Sequence, residues 1–135
     1  MFVIDASITL AMCFDDEGGA TAEVVLTRLE HETAVAPAHW PLEVANALRT
    51  AERRGRLQAV DLPRLRSLLG ALPVEVVPVD LAAATGDVLE TARALDLSVY
   101  DAAYLGLAAF RGLPLATADE QLRTACLRAG VELAA

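Results

Sequence analysis

FVIDAS, residues Phe2 to Ser7, decides how the fold is read. Three apolar residues suited to a short buried strand run straight into an acid and then into Ala6 to Phe14, which reads as a helix. The same alternation continues outward. Asp15 to Gly19 reads as a polar turn with paired glycines, and Ala20 to His31 as a helix. Thr33 to Ala36 reads as a strand stopped by Pro37. Trp40 to Arg54 is a strong helix with Pro41 in its first turn and Gly55 closing it, and Val60 to Leu72 is a second after a polar entry. Val74 to Val79 reads as a strand, and Asp80 caps a helix from Leu81 to Leu95. Tyr100 to Phe110 is apolar almost all round and is expected at the centre. Leu115 to Thr117, Glu120 to Ala129 and Val131 to Leu133 complete the series as strand, helix and strand. The pattern predicts an α/β fold with a mainly parallel central sheet and helices on both faces.

With 135 residues and 55% hydrophobic content, the chain is long enough for one well-buried core and too short for two ordinary domains. A single domain over residues 1–135 is expected. Asp5 breaks the first apolar run, and Asp15, Asp16 and Glu17 follow soon after, so nothing resembles a signal peptide. No run reaches the roughly 20 apolar residues of a membrane span. The expectation is a soluble, cytoplasmic protein with no membrane partner. Cys13 and Cys126 form no metal-spaced pair and read as small hydrophobes. A net charge of -8 opposes broad attraction to nucleic acid, and all 11 basic residues are arginines. Without lysine, the usual phosphate-binding loop, Schiff-base and Asp-plus-Lys phosphotransfer sites are excluded.

Four acids interrupt or end segments that otherwise read as core: Asp5, Glu43, Asp101 and Asp119. Asp5 and Asp119 fall at the carboxyl ends of predicted strands, where open parallel sheets bind ligands. Asp101 and Glu43 lie in the first turns of their helices, where the helix dipole favours negative charge. Three of them have a plainer reading. Asp119 serves as a helix cap, Asp101 as a dipole partner and Glu43 as a capping-box acid, while Asp5 has no evident structural use. Gathered without a cation, such charges repel by about 4 kcal/mol per pair at 4 Å and an effective dielectric near 20. An all-oxygen set suits Mg²⁺, with Mn²⁺ as a substitute, and metal-assisted phosphodiester hydrolysis.

VIDAS at 3–7, PLEVANAL at 41–48, SVYDAAYLGLA at 98–108 and LATAD at 115–119 resemble, in order and spacing, the four motifs of the PIN-domain ribonucleases. The closest likeness is to the VapC-type toxins of toxin–antitoxin pairs, and it runs from Phe2 to about Leu133. The resemblance implies a three-layer α/β/α sandwich, with Asp5, Glu43, Asp101 and Asp119 as a catalytic quartet holding Mg²⁺ or Mn²⁺. It also implies an RNA substrate, a VapB-like antitoxin and a homodimer. Ser7 and Thr117 match positions whose hydroxyls support such a site, and ordinary helix-entry and strand-end bonding accounts for them equally well. Asn46, one turn after Glu43, matches the family pattern and serves either to orient Glu43 or to touch substrate.

Arg49, Arg53 and Arg56 follow Glu43 at near-helical spacing. They form either a basic lip for an RNA backbone or an acidic partner, or a solvated helix end. His31 and His39 read as surface or loop residues, and Trp40 as a packing anchor. Leu65, Leu68, Leu69 and Leu72 offer either a dimer surface or core. Three functions follow: a Mg²⁺-dependent endoribonuclease toxin, a related RNA- or DNA-processing nuclease without a toxin role, or a PIN-like binding module that has lost catalysis.

Overall fold

Phe2, Val3 and Ile4 are wholly buried, and a strand with no exposed face must lie inside a sheet covered on both sides. The computed structural model describes residues 1–14 and 19–135 and places this strand, β1 (Phe2–Ile4), beside β2 (Ala34–Pro37) and β4 (Leu115–Ala116). The edge strand β3 (Val74–Val77) pairs with β2. Among the described residues, the sheet is parallel throughout and has the order β3-β2-β1-β4. The chain therefore steps outward from β1 to β3 and returns past β1 to β4. That reversal opens a crevice at the carboxyl ends of β1 and β4.

The helices are α1 (Ala6–Ala11), α2 (Gly19–Leu29), α3 (Trp40–Arg53), α4 (Leu62–Gly70), α5 (Leu81–Ala83), α6 (Leu89–Leu95), α7 (Val99–Arg111) and α8 (Glu120–Ala129). α1 packs on α3, and α7 lies across β1 and β2. Ser98 starts α7 by accepting from the Asp101 N–H at 3.1 Å, and Gly112 ends it at φ 64°, a conformation glycine adopts without strain. One core joins β1, Ile8, Val35, Tyr104, Leu115 and Leu122, and a smaller cluster joins Ala51, Leu57 and Leu65. Trp40 anchors α3 as expected: its ring is buried and its Nε1–H donates to Thr9 Oγ1 at 3.0 Å.

Several boundaries move for physical reasons. α1 stops at Ala11, and the acidic turn expected at residues 15–18 lies outside the described residues, while Gly19 already belongs to α2. Pro37 is the last residue of β2, opposite Val77, rather than the stop beyond it. β3 ends at Val77, where Pro78 cannot donate to a ladder. The helix expected from Leu81 to Leu95 is broken by a π-helical turn, Ala84–Val88, in which Gly86 leaves helical geometry (φ -99°, ψ -106°). The last strand reduces to a single parallel bridge between Leu115 and Leu133.

α7 is not central. Ala102, Tyr104, Leu105 and Ala108 face the core, but Val99 and Tyr100 are exposed and Phe110 is 91% exposed. Of Leu65, Leu68, Leu69 and Leu72, Leu65 is buried in the smaller cluster, Leu69 and Leu72 pack against the main core, and only Leu68 is exposed. Among the described residues, no helix is long and apolar enough to cross a membrane.

Thr9 is the polar pin beneath this arrangement, since its hydroxyl donates to the Asp5 carbonyl at 2.6 Å while accepting from Trp40. Thr9→Val keeps the shape and strands the buried indole N–H. It is expected to lower stability by about 1–3 kcal/mol, measured by urea unfolding at 25 °C.

Candidate active site

Asp5 leaves β1 and begins α1, so its carboxylate sits over the crevice that the strand order opens. It is only 3% exposed. Oδ1 accepts from the Ile8 N–H at 3.0 Å, and the Ser7 hydroxyl lies 2.7 and 2.9 Å from the two oxygens. Thr117 donates its hydroxyl to Oδ2. The two hydroxyls are themselves held by backbone: Ser7 Oγ accepts from the Ala118 N–H at 2.9 Å, and Thr117 Oγ1 from the Asp119 N–H at 3.0 Å. Burial nevertheless dominates and pushes the Asp5 carboxyl up to about 6, with the hydrogen bonds opposing and the Asp101 charge adding to the rise.

Asp119 follows β4 and caps α8, accepting from the Leu122 N–H at 2.9 Å through Oδ1. The plain capping role is thus real, and it occupies one oxygen. Asp101, half-buried in the first turn of α7, is raised by burial and then by the charges of Asp119 and Glu43. Glu43 lies in the first turn of α3. Its Oε1 accepts from the Tyr104 hydroxyl at 2.6 Å and lies 3.3 Å from His39 Nε2. Burial alone would raise Glu43, but the bonds from His39 and Tyr104 outweigh it and hold the carboxyl below its usual range.

The four expected acids therefore come from four separate segments and feel one another's charge. Ser7 and Thr117 do support Asp5. Asp5 also has the structural use that its sequence context hides, as the cap of α1. Asn46 is exposed and lines a side cavity with Phe14, Thr50 and Arg56, and among the described residues its side chain makes no bond to Glu43. The arginines have different surroundings. Arg49 pairs with Glu52 at 2.7 Å, Arg56 stacks over Phe14 with its guanidinium carbon 5.0 Å from the ring centre, and Arg53 is exposed.

His39 and Tyr104 belong to the site without having been expected there. Each lies one helical turn from an acid: His39 four residues before Glu43, and Tyr104 three after Asp101. That spacing was the available signal. Two sizeable cavities, about 540 Å³ between α3 and α4 and about 420 Å³ beside α7, contain none of the four acids. The candidate site rests on its chemistry rather than on depth.

Among the described residues, no three His, Cys, Asp or Glu side chains form a ready-made metal cage. The donor set still fits Mg²⁺, which binds through one or two carboxylates and keeps several waters. Two carboxyls raised by burial and by neighbouring negative charge, in an all-oxygen set, are what such an ion would relieve.

A family model for the PIN domain matches residues 2–126. Ribonuclease VapC12 of Mycobacterium tuberculosis, from two strains, is 33% identical over 126 residues, covering 90% of this chain and 89% of the relative. The crystal structure of PAE2754 from Pyrobaculum aerophilum superposes with a TM-score of 0.69 at 24% identity, covering 92% of this chain and 78% of that one, and shows likeness of fold.

The buried Asp5 gives a signed pH effect. Its carboxyl titrates near 3.8 unfolded and about 6 folded, so the folded chain holds the extra proton between those values and loses stability as pH rises through them. Without added metal ions, wild type is expected to lose up to about 3 kcal/mol relative to Asp5→Asn between about pH 4 and pH 7. Urea unfolding of both proteins across that range checks this, and parallel curves would refute it.

Proposed function

The chain belongs to the PIN-domain family, and on that premise we propose that it is a Mg²⁺-dependent endoribonuclease acting as the toxin of a toxin–antitoxin pair. One observation carries the chemistry. Four carboxylates delivered by β1, α3, α7 and β4 stay within reach of one another's charge, two of them destabilised as anions. A purely structural fold has no use for that cost. RNA as substrate is supported by the likeness to a ribonuclease, and a VapB-like antitoxin and a homodimer are the partners the family reading brings with it. The same reading has the protein act in the cytoplasm as one PIN domain.

Asp5, Glu43, Asp101 and Asp119 would hold Mg²⁺ or Mn²⁺. Bound there, the ion supplies a Lewis acid that makes water a competent nucleophile near neutral pH and offsets charge developing on the phosphate. The chain's own residues do the rest. Ser7 and Thr117 fix both oxygens of Asp5, so the carboxylate is oriented before any ligand arrives. Tyr104 stays a neutral donor, because burial and the bond to Glu43 push its phenol far above the usual range. Asp101, half-exposed, sits between Glu43 and Asp119 in charge terms, so an arriving cation would relieve its repulsion from both.

Purified, antitoxin-free protein is expected to cleave members of a panel of structured RNAs in Mg²⁺ or Mn²⁺ and to stop in EDTA. Asp101→Asn should lower the rate by more than about 100-fold, beyond the usual effect of an outer-shell partner, while circular dichroism stays unchanged. Cleavage that persisted in EDTA, or a fully active Asp101→Asn, would overturn the assignment.

A further inference from the structure

Glu43 sits at the start of a helix with a flexible side chain and a partly exposed carboxylate, so nothing in α3 itself fixes where its oxygens point. Two neighbouring side chains do. The Tyr104 hydroxyl donates to Oε1 at 2.6 Å, and His39 Nε2 lies 3.3 Å from the same oxygen. His39 Nε2 is also 3.1 Å from the Tyr100 carbonyl. Both neighbours of that nitrogen are acceptors, so Nε2 carries the hydrogen; it is bonded to the Tyr100 carbonyl and presents the positive end of its dipole to Glu43.

The two neighbours are themselves constrained. Tyr104 is 1% exposed. The His39 ring meets Tyr104 edge-on, with centroids 4.8 Å apart, and lies 5.5 Å from Tyr100. Tyr104 also stands one turn after Asp101 on α7. A single buried phenol thus ties the carboxylate of Glu43 to the helix that carries Asp101.

We propose that Tyr104, backed by His39, is a positioning residue that fixes the orientation of the Glu43 carboxylate through Oε1. The inference rests on the metal-dependent nuclease reading. It predicts that Tyr104 governs ion affinity through Glu43 alone, whereas a tyrosine needed only for packing would alter stability and leave affinity untouched.

Mn²⁺ binding, followed by electron paramagnetic resonance of the free ion, separates these roles. Tyr104→Phe, which keeps the ring, is expected to weaken Mn²⁺ binding by about tenfold. It should lower kcat while leaving KM for RNA nearly unchanged. In a Glu43→Ala background the same substitution should make no further difference to Mn²⁺, because its route of action is gone. His39→Ala should act in the same direction by a smaller factor, and it serves as the test if Tyr104→Phe does not fold. Wild-type affinity in a folded Tyr104→Phe, or in His39→Ala where that variant is the test, would overturn the proposal, as would an equal loss in both backgrounds. Wild-type protein that bound no Mn²⁺ would overturn the nuclease reading and this one with it.

Discussion

A carboxylate buried at the carboxyl end of a central strand is the constraint on which the rest depends. An ionised group taken out of water is costly unless donors surround it, and Asp5 draws its donors from two places. Ile8 and Ser7 come from α1, one turn away, but Thr117 comes from β4, more than a hundred residues later. Satisfying Asp5 therefore requires β4 to lie beside β1. The Ala118 and Asp119 N–H groups then close the arrangement by donating to the same two hydroxyls. One buried charge fixes both the reversal of strand order and the place where Asp119 emerges.

The second anchor works by the opposite balance. Asp5 is raised because burial exceeds its hydrogen bonds, whereas Glu43 is lowered because its hydrogen bonds exceed burial. Asp101 lies between them, with fewer partners and two like charges acting on it. With Asp119 tied to the start of α8, three acids are held and one is left responsive. That is a sensible division for a centre whose charge has to be met by something arriving from solution.

Much of this was legible from residue order alone. The β1–α1 junction, the helix at Trp40, the helix from Glu120 and the four acids each carry a local signal: an apolar run ending in an acid, proline at a helix start, or glycine at its end. The break at Gly86 gave a weaker one, because Ala82 to Leu95 keeps helical composition on both sides of it. α7 misled for a related reason. Composition counts apolar residues but cannot say which side they face, and Phe110 and Tyr100 are turned outward. Asp5 hid its capping role because cap and ligand positions coincide at a strand-to-helix turn. His39 and Tyr104 were missed because the one-turn spacing of each from an acid is common on any helix, and the contact between α3 and α7 that gives it meaning is not visible in either segment alone.

The charge of the chain fits this picture better than it first suggests. A net -8 without lysine opposes general attraction to a polyanion. The arginines do not reverse that, since Arg49 is taken up by Glu52 and Arg28 by Glu32, with nitrogen-to-oxygen distances of 2.7 and 2.6 Å. If RNA binds, its attraction must be local, and the acids themselves are the place where a divalent ion would turn repulsion into attachment. A polyanion would then be admitted only where an ion is held, and the acidity of the remaining surface becomes a means of restricting contact to that point.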